Sequence, residues 1–311
     1  MTDVISVLRR GAGLACAAMF ALGTVLPASG KPVATSAVVP CSIWLGSVTP
    51  AGGHRSLGIH ATARISVVND VITAPYKPGQ IRLSARQSRL PNAGGSMTSS
   101  GYVVAADSLY WSSYVSDANG KLIGTPELRR VGGGWSPFRS LEVSVYQAPY
   151  PSTLHRETAY ALRDDGRLYR WTISNGAWRA AGSYAGFAAV KSMTLIAKTP
   201  TYETFLANTR GGALYTIRMP VSASSKPVVT PVRTRTWQGF ETLSAAACGK
   251  NGTLLLGIDK DTKSAYLYAV GHANGLSTVI QSRGKVPATF DDPVYFRWVQ
   301  THPEYDVANG D

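Results

Sequence analysis

Apolar and polar residues alternate along this chain in short runs, closed by Gly, Pro, Asn and Asp, and no stretch beyond the first thirty residues sustains a helical stripe. The sharpest case is a pair of β-prone runs, Thr-Ala-Tyr-Ala-Leu at 158–162 and Arg-Leu-Tyr-Arg-Trp at 167–171, flanking the turn Arg163-Asp164-Asp165-Gly166. Asp-Gly between alternating apolar residues is a strong hairpin signal, because glycine enters the left-handed region without a steric penalty. The same unit recurs as 102–106 before Leu109-Tyr110, 204–207 before Leu214-Tyr215, and 254–258 before Leu267-Tyr268. A second marker keeps step with it, an aromatic followed three and six residues later by apolar side chains: Trp135, Phe138, Leu141; Tyr184, Phe187, Val190; Trp237, Phe240, Leu243. Each corner leads into another β-prone segment. The repeat therefore reads as corner, strand, strand, turn, strand, about 50 residues in all, which is the length of one blade of a propeller.

Composition sharpens this expectation. With 31 Gly, 18 Pro, 15 Tyr and 7 Trp, 44% hydrophobic and 16% charged residues, the chain is neither a helical bundle nor a disordered segment. The repeat predicts an all-β fold, a β-propeller of four-stranded antiparallel sheets, and residues 31–311 hold five to six such units. Residues 31–100 are less regular and strongly basic. Across 31–106 there are Lys31, Arg55, Arg64, Lys77, Arg82, Arg86 and Arg89 against Asp70 alone. Arg82 and Arg86 share one face of an ideal strand, so they are the expected anionic-surface residues, facing an acidic polymer or a membrane surface. Specific nucleic-acid binding lacks an aromatic-basic recognition motif.

Arg9-Arg10 and the apolar run 11–26, followed by Pro27 and small residues, predict a cleaved export signal over 1–30, with no further membrane segment and a secreted, extracellular product. Cys16 would leave with it, and the remaining pair, Cys41 and Cys248, is expected to form a disulfide.

At the residues Tyr160-Ala-Leu-Arg-Asp-Asp-Gly-Arg-Leu-Tyr169, with Trp237-Gln-Gly-Phe240 at a neighbouring corner, the sequence resembles the tachylectin-type β-propeller repeat over roughly 100–290. The resemblance implies a ring of five blades and lectin activity toward N-acetylated amino sugars. The family's sugar-contacting residues have no individual match here.

Motifs for catalysis are thin. The nucleophile elbow, the zinc helix and the P-loop are missing, and His54, His60, His155, His272 and His302 are scattered. Asp164-Asp165 is a turn pair, Asp259-Lys260-Asp261 lacks the rest of a calcium loop, and Asp291-Asp292, Glu304 and Asp306 read as solvated ends. No catalytic residue, metal site or cofactor is expected. Aromatic faces pack against sugar C–H groups, so the candidate ligand residues are Trp135, Tyr184 and Trp237 with Gln238 and Glu241 beside them, unless the periodic rings pack blade on blade. The sequence thus points to a secreted, non-enzymatic carbohydrate-binding propeller with repeated shallow sites. The alternatives are a glycan-active hydrolase or lyase and a cell-surface protein-interaction scaffold.

Overall fold

The alternating runs become twenty β-strands and one short 3-10 turn among residues 40–71, 73–222, 224–302 and 305–311, which the computed structural model describes. The export signal expected over 1–30 lies outside the described residues.

Three antiparallel sheets take their strands in chain order: β8 (Phe138–Gln147), β9 (His155–Arg163), β10 (Leu168–Ser174) and β11 (Ala177–Tyr184); β12 (Val190–Lys198), β13 (Tyr202–Thr209), β14 (Leu214–Pro220) and β15 (Val228–Arg233); β16 (Thr242–Cys248), β17 (Gly252–Asp259), β18 (Ser264–Val270) and β19 (Ile280–Lys285). A larger sheet has the order β3 (Ser66–Val71), β2 (His54–His60), β1 (Ser42–Val48), β20 (Val294–Val299), β4 (Ile81–Pro91), β5 (Met97–Ala105), β6 (Ser108–Ser116) and β7 (Leu122–Gly133). Inside it β20 is antiparallel to β1 from Leu45↔Arg297 to Val48↔Val294, but meets β4 in parallel only at Trp298↔Gln87 and Val299↔Ser88. The eight strands therefore divide at that parallel joint into β20-β1-β2-β3 and β4-β5-β6-β7. This is a β-propeller, and one of its sheets is assembled from segments some 250 residues apart.

The core lies between neighbouring sheets. Val104, Leu109, Leu141 and Ala161 fill the first joint; Leu162, Leu168, Phe205 and Ile217 the next; Leu206, Leu214, Leu243 and Leu255 the one after. Leu254, Leu256, Ile43 and Ile59 lead into the composite sheet, and Val48, Phe296, Ile81 and Val103 return to the first. Each of these side chains larger than Ala161 contributes roughly 1.5–3 kcal/mol by leaving water. The disulfide is formed: Cys41, just before β1, is bonded to Cys248 at the end of β16, with Cα atoms 5.3 Å apart.

The two sequence markers share a period because they touch. Each hairpin turn offers a carbonyl to the amide of the loop that leaves its sheet: Trp135 to Asp107 at 3.1 Å, Phe187 to Gly166 at 2.9 Å, Trp237 to Gly212 at 3.0 Å and Phe290 to Lys263 at 3.0 Å. Gly166 is required twice over. Its φ is +78°, and a Cβ there would stand 2.5 Å from the Ala188 backbone.

The second corner is shifted from the predicted alignment. Phe187 makes the bond that Trp135 and Trp237 make, and Val190 opens β12 as Phe138 opens β8. Tyr184 is instead the last residue of β11, three positions before the corner.

Candidate functional site

The first strand of each sheet in chain order, and β20 in the composite one, lie nearest the axis: β4, β8, β12, β16 and β20 together line one cavity of about 190 Å³. The position after the residue that opens β4, β8 and β12 points to its rim. There stand Arg82, Arg139 and Lys191, each reaching toward the next sheet, while Glu241 stands just before β16 and meets Lys191 from the preceding sheet. Arg82 Nη1 and Nη2 donate to the carbonyls of Phe138 and Trp135 at 2.5 Å each. Arg139 Nη2 donates to Phe187 O at 3.2 Å, and Lys191 Nζ donates to Gln238 O at 2.5 Å and pairs with Glu241. Glu241 accepts from the Lys260 amide at 2.8 Å, and Lys260 Nζ donates to Pro293 O at 2.7 Å. The corner turns present carbonyls that no strand uses, and a ring of cations satisfies them. Burial pulls the guanidinium groups of Arg82 and Arg139 below their ordinary range.

Deeper in, Asp306 is the centre of a four-group cluster. Its carboxylate accepts from Arg297 Nη1 and Nη2 at 2.7 and 3.0 Å, from Lys198 Nζ at 2.9 Å and from Arg86 Nη1 at 3.3 Å. Burial opposes its charge, yet Arg297, Lys198 and Arg86 hold the carboxyl far below the usual carboxylate range. Burial also takes Lys198 down to about 8. Residues 305–311 carry Asp306 there and run antiparallel to the end of β12, with Lys198 N bonded to Ala308 O and Gly310 N to Ile196 O. A Cβ on Gly310 would stand 2.3 Å from Thr253 Oγ1, so only glycine passes. Asp311 is held in turn by Thr204 and Arg218 at 2.6 and 2.8 Å.

Six cations, Arg82, Arg86, Arg139, Lys191, Lys260 and Arg297, thus line the cavity against Glu142 and Glu241. Several polar groups in the lining are left over. Arg139 Nε, Ser140 Oγ and Ser244 Oγ are buried without a hydrogen-bond partner among the described residues. The Glu142 carboxylate likewise makes no hydrogen bond or ion pair among them. Burial pushes Glu142 up to about 7, with Arg297 and Arg86 pulling the other way. A concave site with a charge excess and unspent polar groups can take a small, hydroxylated anion.

The residues proposed from sequence are distributed differently. Trp135 and Trp237 are each 5% exposed and pack at a tilt against other rings, Trp135 against Phe138 at 4.7 Å and Trp237 against Tyr268 at 4.9 Å. Their faces pack sheet on sheet. Tyr184 is half-buried under the Arg170 guanidinium, 5.7 Å from its centroid. Gln238 is exposed and contributes its carbonyl, so of these five only Glu241 reaches the cavity. Arg82 and Arg86 form no outward stripe. Register shifts at Ile81/Leu83 and Ser84/Gln87 break the alternation of β4, and both side chains enter the cavity. Asp306 and Asp292, expected as solvated ends, are buried; Asp292 bonds to Ser47 Oγ at 2.5 Å and pairs with Arg55. His54 is also buried, with Nδ1 2.7 Å from Tyr114 Oη and the rings of Tyr76, Phe296 and Trp298 around it, and burial lowers its pKa to about 3. Sequence reasoning missed Arg139, Glu142, Lys191 and Arg297. Arg139 and Lys191 had one signal, a cation just after the residue that opens the inner strand, and Glu142 and Arg297 had none.

Among the described residues no cluster of three or more His, Cys, Asp or Glu could hold a metal ion, and no helix is long and apolar enough to cross a membrane.

No protein-family model matches the sequence, and no curated protein matches it. Among solved structures, the chain is similar to a fucose-specific lectin from Aleuria aurantia, at 14% identity and TM-score 0.45 over 81% of this chain and 85% of that one. It is similar to the catalytic domain of a GH62 alpha-L-arabinofuranosidase from Coprinopsis cinerea, at 14% identity and TM-score 0.45 over 83% and 80%. A periplasmic gluconolactonase from Pseudomonas aeruginosa follows at 11% identity and TM-score 0.37 over 80% and 97%. At these levels the likenesses carry no argument about what this chain binds.

Proposed function

We propose that this protein is a secreted, non-enzymatic carbohydrate-binding propeller of five blades, and that its ligand is an anionic saccharide seated in the central cavity. The cavity itself is the observation that supports this reading: six cations against two carboxylates, with Arg139 Nε, Ser140 Oγ and Ser244 Oγ unspent. Its 190 Å³ equals the space of about six waters, which suits one sugar ring rather than a stretch of chain. An acidic group answers the cations, and ring hydroxyls answer the serines. The repeated shallow sites expected at the corner aromatics are not part of the proposal, because Trp135 and Trp237 are spent on packing. The blade count rests on treating β20-β1-β2-β3 and β4-β5-β6-β7 as separate units beside the three four-stranded sheets. The Cys41–Cys248 bond supports an oxidising compartment, in keeping with export.

The purified protein should retain acidic sugars from a glycan panel and release them unchanged. Replacing Arg139 by Gln should weaken retention without loss of fold. Retention of neutral sugars alone, or equal retention by the variant, refutes the assignment. A glycan-active enzyme is the second reading, favoured by Glu142, since a carboxyl pushed up to about 7 in a concave site has the poise of a general acid or base. Turnover of a retained sugar would decide for it.

A further inference from the structure

Glu142 is the group in the cavity that the fold does not explain. It sits on β8, an inner strand, in a cavity whose charged lining is mostly cationic, yet its carboxylate has no bonding partner among the described residues. The cations around it are already engaged. Arg86 on β4 and Arg297 on β20 are turned to Asp306, and Arg82, also on β4, is turned to the corner carbonyls. On its own strand Arg139 donates to Phe187 O. Lys191 on β12 pairs with Glu241, and Lys198 on the same strand with Asp306. Lys260 caps Pro293 O. The hairpin partner β9 contributes Glu157, itself raised by burial, and Tyr160, whose hydroxyl is committed to Glu203. Tyr295 on β20 is raised by burial and stays neutral. Arg297 and Arg86 favour the charged form of Glu142 from a distance, but neither bonds to it and burial outweighs them, and a second anion arriving beside it would be repelled by that charged form.

We infer that Glu142 joins the ligand site as a neutral carboxylic acid, so that an anion enters the cavity together with a proton and the Glu142 hydroxyl donates to an oxygen of the ligand. The inference rests on the reading of the cavity as an anion site. It narrows the ligand to an anion with an acceptor oxygen near its charge, as in a uronic acid. Burial already brings Glu142 to half-protonation near neutrality, and a bound anion pushes it further the same way. Affinity is consequently tied to pH through Glu142.

The test uses glucuronate and inorganic sulfate, neither of which titrates between pH 6 and 8, measured by calorimetry on the full protein in two buffers of different ionisation enthalpy. Binding is expected to weaken roughly tenfold from pH 6 to pH 8, with buffer-dependent heat at pH 7 reporting proton uptake. Glu142→Gln carries a permanent neutral group and should bind about equally at both pH values. Glu142→Asp should keep the pH dependence if it folds as the wild type does. Binding by the wild type that is independent of pH and buffer, or a Glu142→Gln variant that keeps the full dependence, overturns the inference while leaving the cavity an anion site. Failure of both anions to bind the wild type at either pH overturns the cavity reading, and this inference falls with it.

Discussion

Replacing Asp306 by Asn keeps the size of the side chain and removes its charge, leaving Arg86, Lys198 and Arg297 facing one another. In the wild type, four donor–oxygen distances of 2.7–3.3 Å converge on this carboxylate. Removing one partner of a buried charge cluster leaves uncompensated charges and costs about 3–5 kcal/mol. An internal comparison fixes the scale. Arg163 and Asp165 form a pair whose side chains are 39% and 37% exposed, and Arg163→Ala should cost under about 1 kcal/mol. Urea unfolding of both variants at pH 7, with wild-type slopes as the check on two-state behaviour, reads the difference. Sulfate should restore part of the loss in Asp306→Asn and none in Arg163→Ala, because an anion can take the vacated place. The pH dependence has a definite sign. The folded carboxyl lies below its unfolded value near 3.9, so its contribution is complete above about pH 4 and is lost as pH falls below it. A loss within about 1 kcal/mol of the Arg163→Ala value would refute the view that Asp306 holds the three cations together.

His54 is neutral when folded and takes a proton when unfolded, so its contribution is full above about pH 6.5 and falls toward pH 3; between pH 7 and 4 urea unfolding should register a loss of roughly 3 kcal/mol that His54→Phe removes. Glu142 is raised rather than lowered, so its charge costs stability increasingly from about pH 4.5 to 7, and Glu142→Gln should stabilise by roughly 1–3 kcal/mol at pH 8 with little effect at pH 5. Trp237→Ala should destabilise by about 3–5 kcal/mol and leave acidic-sugar affinity unchanged, as measured by unfolding and calorimetry on the same sample. Reduction of Cys41–Cys248, or Cys248→Ser, should cost up to about 5 kcal/mol, given a separation of 207 residues, and the two treatments together should cost no more than either.

The hairpins were legible because turn chemistry is local: Asp165-Gly166 announces itself within four residues. The cysteines were legible for lack of any other pairing. Tyr184 was misplaced because an aromatic three residues before the corner imitates Trp135. The corner residue varies between Trp and Phe from repeat to repeat, whereas the hydrogen bond to Gly166, which decides the register, is made by a backbone amide and leaves no mark in the sequence. The cavity was illegible for a different reason. Arg82, Arg139 and Lys191 come from separate repeats and meet only when the sheets are set side by side, so Arg82 read as part of a stripe with Arg86 and nothing linked it to the other two. Asp306, in a polar segment without periodicity, offered no sign that three cations waited for it.

The pairing of β1 with β20 sets a schedule for biogenesis. Ser42–Val48 is made early, and its partner Val294–Val299 only some 250 residues later. Until then Ile43 and Leu45 have no complete sheet to bury them, and one strand edge stays open to other chains. The interior sheets are built from adjacent hairpins and can form as they appear, but ring closure is a late, high-contact-order event. A chain truncated before Val294 should hold native-like sheets and still aggregate, and a chaperone that shields residues 42–48 should be needed longest of all.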